Sequence, residues 1–248
     1  GVFFSEPENS LLIEPSSMIG PDFAGSFFTG SEKGNTLNQF NGHHLFQEAS
    51  KIGVLKDGRV HLPGLQTLIY KFMVPFAQNC LLLTDYLSSE LIDGKIAVTI
   101  FNRNGTSVYT CDELIDCTPT LITNQVKTEI TSVSLGSAFI SIKEDAVLPK
   151  LPKGEIIQTC FPNEFYFHFP LSSKDTWGKA RSDMIAFISE HKTELDGWVL
   201  AATAIEKNVK ISSTYRGLAS VLIPSHYDGI IEGFTTGINF LENRKALV

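Results

Sequence analysis

The sequence predicts an α/β protein that combines a parallel sheet with a second, β-rich unit, and three observations carry the prediction. Residues 10–84 run strand, long excursion, helix, strand, the order that builds a parallel sheet. Two β-prone runs then flank Asn104-Gly105, the dipeptide that most favours a tight hairpin turn. Beyond them, residues 128–142 alternate apolar and polar side chains and residues 155–169 are rich in aromatics, which predicts a further sheet.

Each element has its own signature. Residues 10–13, Ser-Leu-Leu-Ile, form a short apolar run between Asn9 and Pro15, suited to a buried strand, and the run ends in Glu14. Residues 15–34 hold glycines, prolines and hydroxyl residues in a composition that favours a long connection. Leu65, Leu68, Ile69, Phe72 and Phe76 fall on one face of a helix, which Pro75 should kink or end. Residues 80–84 read as the next buried strand, and Leu114-Ile115-Asp116 as a return strand into the same sheet as Leu11–Ile13. Trp177, Ala180, Met184, Phe187, Ile188 and His191 mark an amphipathic helix with Gly197 as its closing residue. A last helix should start near Asp228 as N-cap, with Ile231, Phe234, Ile238 and Leu241 on one face.

Composition removes several classes of function. A chain of 248 residues, 43% hydrophobic and 19% charged, has the apolar material for a large core. A net charge of −7 argues against nucleic acid and against an anionic membrane as partners. The most apolar stretch, residues 72–83, is broken by Pro75, Gln78 and Asn79, so no membrane-spanning helix is expected. Cys80, Cys111, Cys117 and Cys160 lack metal-site spacing and read as small buried side chains, and no metal site is expected. His43 and His44 read as a polar surface loop, and His226 with Tyr227 as a turn before the last helix. The aromatic group Phe161, Phe165, Tyr166, Phe167 and Phe169 reads as core. The sequence opens on Gly1, which leaves a cytoplasmic location as the expectation and export as the alternative, if an N-terminal signal was removed.

Four segments together resemble the FAD-dependent oxidoreductases of the glutathione-reductase-like Rossmann type. Leu11-Leu12-Ile13-Glu14-Pro15-Ser16-Ser17-Met18-Ile19-Gly20 looks like the second strand of the nucleotide-binding unit and its loop. Residues 94–111 are similar to the family's crossover hairpin, and Glu113-Leu114-Ile115-Asp116-Cys117-Thr118-Pro119 to its Ile-Asp-Ala-Thr-Gly segment. Residues 222–237 look like the stretch leading into a helix near the flavin.

The resemblance implies a Rossmann-like FAD/NAD(P)-binding fold, incomplete at the N-terminus, with a β-rich second domain. Residues 1–125 and 198–248 would form the discontinuous nucleotide-binding domain, and residues 126–197 the substrate-type domain. FAD would be the cofactor of the intact protein and a small organic molecule its substrate, with a hydride or electron pair passing between them. Glu14, Pro15, Ser16, Thr118, Asp228 and Gly229 are the cofactor-binding residues it implies, Glu14 accepting from the ribose hydroxyls. No catalytic residue and no oligomeric state is implied.

Two departures bear on this. Pro119 stands where relatives have glycine, removing an N–H and fixing φ. The Gly-x-Gly-x-x-Gly loop that takes the FAD pyrophosphate is not in these residues, so little or no FAD binding is expected of them. A non-catalytic binding protein on a degenerate flavoprotein scaffold is therefore the alternative, and an interaction module using residues 126–171 a third reading.

Overall fold

The computed structural model describes residues 2–30, 44–212, 215–223, 227 and 229–245. Helix α1 (Val2–Ser5) precedes strand β1 (Leu12–Glu14), and α2 (His44–Lys51), β2 (Leu55–Lys56), β3 (Arg59–Val60) and α3 (Leu62–Met73) follow. The His61 ring accepts the Gly64 N–H at the start of α3, and Pro63 occupies its first turn, where a missing N–H is harmless. Around Pro75 the α-helix gives way to a 3₁₀ turn (Val74–Asn79), the break that proline predicts. Leu65, Leu68 and Ile69 are buried, so the predicted stripe is the core face.

Strand β4 (Cys80–Leu82) pairs in parallel with β1, register Leu12 to Cys80 and Glu14 to Leu82. Strands β5 (Asp85–Ile92), β6 (Lys95–Asn102) and β7 (Gly105–Cys111) form an antiparallel sheet of three; the expected hairpin is there, but its turn residues are Arg103-Asn104, one residue earlier than expected, and Gly105, at φ 93°, already pairs with Asn102. Strand β5 has no counterpart in the sequence reading.

One expectation requires correction. Strand β8 (Ile115–Asp116) is not hydrogen bonded into the sheet of β1 and β4. It pairs in parallel with β13 (Ser220–Val221), so the expected single sheet is two separate parallel pairs among the described residues. Both pairs still lie under one cover: Ile13, Leu81 and Leu114 pack on Ile96, Val98 and Ile100 of β6. Hydrophobic packing on a shared hairpin thus aligns strands that no ladder connects.

The second sheet is antiparallel, in the order β10 (Glu155–Gln158), β11 (Glu164–Leu171), β9 (Glu129–Ser141), β12 (Trp198–Ser212). It extends beyond residue 197, because β12 bonds along the length of β9 with irregularities between Thr203 and Lys207. Helix α4 (Trp177–Glu190) covers one face and ends at His191, not at Gly197. Gly197, at φ 85°, serves the turn into β12 instead, where its carbonyl accepts from the Ile142 N–H at 2.9 Å. Helix α5 (Ile230–Lys245) closes the chain and packs beside α1, with the Phe4 and Phe46 rings against Phe234. The chain is a mixed α/β protein with a β-rich second sheet, and among the described residues no helix is long and apolar enough to cross a membrane.

Candidate functional site

In open α/β folds, ligands bind beyond the carboxyl ends of parallel strands. Here the chain leaving β1, the chain leaving β8 and the irregular middle of β12 meet in a cleft lined by Asp22, Phe23, Phe28, Pro119, Lys207, Asn208 and Val209. The segment after β1 is pinned over the sheet by its backbone. The Gly25 carbonyl accepts from the Ile205 and Glu206 N–H groups at 2.9 and 3.0 Å, bonds that the bulge of β12 makes available. Gly136 of β9 is required beneath it, since a Cβ there would stand 2.0 Å from the Ser26 carbonyl oxygen.

Glu14 ends β1 as expected. One carboxylate oxygen accepts the Ser16 N–H at 2.8 Å, and the Glu14 carbonyl accepts from Thr84. Ser16 is spent locally, its hydroxyl donating to the Met18 carbonyl and accepting the Met18 N–H. Pro15 lies between them and has no N–H to offer. Thr118 donates both its N–H (2.9 Å) and its hydroxyl (2.7 Å) to one oxygen of Asp116. The other Asp116 oxygen takes the Thr123 N–H and hydroxyl at 2.9 and 2.7 Å. The buried Asp116 is therefore the organiser of this loop. Gly229 bridges to Gly30 and starts the ladder of α5, while Asp228, His226 and His43 lie outside the described residues. His44 opens α2 and is exposed.

The structure thus brings Glu14 and the loop of Thr118 to the same region and leaves the start of α5 linked to it through Gly30. The residue between them, Asp22, was not singled out from sequence. Burial, then the nearby charges of Glu14 and Glu206, raise its carboxyl to about 7. Cys117 is exposed at its edge, contrary to the buried reading, and the other three cysteines are partly buried. Protein packed around the Cys117 thiol nonetheless raises it to about 11, with Asp116 and Asp22 adding to the effect. A run such as Ile19-Gly20-Pro21-Asp22-Phe23 carries no period that would reveal a half-buried carboxyl.

Among the described residues, no group of three or more His, Cys, Asp or Glu side chains is placed to hold a metal. Lys207 lines the cleft with its stem, but its ammonium donates to the Asp175 carbonyl at 3.0 Å.

No protein-family model matches the sequence, and no curated protein matches it either. Solved structures do share the fold. BexE, studied for oxidation during BE-7585A biosynthesis, aligns at a TM-score of 0.55 and 10% identity, over 92% of this chain and 54% of that one. CabE, an aromatic hydroxylase from angucycline biosynthesis, aligns at 0.52 and 10% identity, over 94% and 55%. The Diels-Alderase PyrE3 of pyrroindomycin biosynthesis aligns at 0.55 and 11% identity, over 93% and 58%. The chain spans about half the length of the structures it matches. At these identities the likeness is one of fold: this chain has the architecture found in an aromatic hydroxylase and an oxidative biosynthetic enzyme.

Proposed function

We propose that this chain is part of an FAD-dependent oxidoreductase that acts on a small organic molecule, in the Rossmann-like class of nucleotide-binding folds. The observation that carries the reading is Glu14. It stands at the carboxyl end of a parallel strand, and the described residues engage only one of its carboxylate oxygens. The second oxygen is free to accept from a ribose hydroxyl, which is the chemistry a nucleotide site needs at that position. Neighbours that include a hydroxylase and an oxidative enzyme support the same reading.

Bound FAD would supply two-electron redox chemistry. The chain's own part would be to hold the ribose at Glu14 and to wall the adjoining cleft with Phe23, Phe28, Pro119 and Val209, which exclude water. Ser16 and Thr118 would shape the loops without touching the cofactor through their side chains, because those groups are already bonded within the protein.

A second reading is a binding protein that has lost the chemistry. Pro119 and the full commitment of Thr118 to Asp116 favour it, since both withdraw donors from the segment that passes the cofactor in flavoproteins.

Titration with FAD separates the two. The full natural protein should show the flavin absorbance bands and lose about tenfold in FAD affinity in Glu14→Ala, the loss of one good charge-assisted hydrogen bond. A colourless protein that takes up no FAD would establish the second reading. The residues present here, without the glycine-rich loop, should bind FAD weakly or not at all.

A further inference from the structure

The two parallel pairs each end in an open backbone edge. In β1 the Glu14 carbonyl accepts the Thr84 N–H at 3.1 Å, so Glu14 faces β4, and the N–H and C=O of Ile13, one residue back, point the opposite way. In β8 the Leu114 and Asp116 carbonyls accept the Ser220 and Leu222 N–H groups at 2.8 and 3.0 Å, so the backbone groups of Ile115 point away from β13. Neither Ile13 nor Ile115 has a backbone partner among the described residues. Both are half-buried, where backbone donors and acceptors require partners.

The surroundings suit one more strand. Asp22 and Pro119, on the chains that leave β1 and β8, line the same small void, which brings the carboxyl ends of the two strands together. Ile96, Val98 and Ile100 of β6 cover one face, against Ile13, Leu81 and Leu114. On the other face Leu12 and Cys80 meet Phe3 of α1 and Ile230 and Ile231 of α5.

We infer that a single parallel strand bridges Ile13 and Ile115, supplied by a stretch of the natural chain that precedes these residues. Helix α1 identifies the occupant. It packs on the sheet and leads into β1, a parallel strand, which is the place of the last part of a strand-to-strand crossover. Such a connection takes about a dozen residues or more, so residues 2–11 hold only its end. The three aligned structures are longer, this chain spanning 54, 55 and 58% of them. Covered on both faces, the strand should be apolar along its whole length, about five residues.

Amide exchange tests the bridge. In the natural protein with its upstream residues, the Ile13 and Ile115 amides should exchange as slowly as those of Thr84 and Leu222, which the two ladders already bond. In the 248 residues alone they should exchange at least about 100-fold faster than that pair. If the shorter chain does not fold, the natural protein decides alone: NMR contacts from both amides to one upstream apolar run are expected.

Contacts that join β1 directly to β8 would overturn the inference. So would fast exchange at either amide in the natural protein, protection lost on dilution, which marks a second copy, or no β-prone run encoded within about 30 residues upstream. The outcome is separate from the flavin titration. A colourless protein would seat the strand equally well, and a flavoprotein in which β1 bonds β8 would keep the functional reading and lose this one.

Discussion

The two faces of the four-stranded sheet are built on opposite plans. Toward α4, Leu135, Phe139, Phe165, Phe167 and Phe169 meet Ala180, Met184 and Phe187 in a wholly apolar layer. Phe139 stacks on Phe165 at 4.9 Å and Phe167 on Phe187 at 5.8 Å. On the other face, alternation along β11 turns Glu164, Tyr166 and His168 inward, all buried and all bonded. Glu164 accepts from the Thr159 hydroxyl at 2.9 Å and stands 3.6 Å from His61 Nε2. The Tyr166 hydroxyl accepts the Leu62 N–H at 3.0 Å, and His168 Nε2 donates to the Phe27 carbonyl at 2.9 Å. The first face supplies volume and buried area. The second fixes where particular backbone groups lie, and through Phe27 it sets the position of the loop that carries Asp22.

The two plans should respond differently to substitution. Phe167→Ala, which opens a cavity in the α4 face, should cost about 3–5 kcal/mol, read as a drop in the urea midpoint, and leave the exchange protection of the Ile205 and Glu206 amides, which hold the Gly25 carbonyl, unchanged in the folded protein. Gly136→Ala should cost less, about 1–3 kcal/mol, because a single methyl is added, yet it should damage the cleft. Its Cβ would collide with the Ser26 carbonyl oxygen, which must move and take Asp22 with it. If Gly136→Ala leaves the protection of the Ile205 and Glu206 amides intact while Phe167→Ala weakens it, the division of labour between the faces is wrong.

Sequence patterning made the apolar plan legible and concealed the polar one. The aromatic run at residues 165–169 announced a packed strand, and the stripe of Leu65, Leu68 and Ile69 announced α3, because burial repeats with the period of the element. Strand β12 was unreadable for the complementary reason. Glu206, Lys207 and Asn208 interrupt its alternation at the bulge, where backbone groups are used to dock the loop. Strand β8 shows the limit most clearly. Its two residues were correctly read as a strand, but pairing with β13 depends on a partner some hundred residues away, and no local pattern encodes which edge it meets. Of the candidate site, Glu14 could be named because it ends an apolar run. Asp22 could not, since the residues around it, Pro119 and Lys207 to Val209, come from segments distant in sequence.

The sharpest test of the polar face changes little at neutral pH and much below it. Burial first, and then the Lys210 charge, lower the His168 pKa to about 4, against the bond to Phe27, which favours the charged ring. The ring is therefore neutral at pH 7, with its Nε2 proton on the Phe27 carbonyl and Nδ1 3.4 Å from the Ser134 hydroxyl. In the unfolded chain the same imidazole titrates at its ordinary value of 6.5. Between those two values the unfolded chain holds the proton and the folded one does not, so the stability contributed by His168 is complete above pH 6.5 and falls as the pH drops toward 4. His168→Leu keeps most of the volume but leaves the Phe27 carbonyl without its donor, a cost of about 1 kcal/mol at pH 7. Its unfolding free energy should decline less steeply than that of the parent between pH 6.5 and 4, and the two curves should cross, because acid removes about 3 kcal/mol from the parent over that range and the gap at pH 7 is only about 1 kcal/mol. Parallel curves over that range would mean that the imidazole is already charged in the folded protein, and the loop over β9 would then be held by an ion rather than by a neutral hydrogen bond.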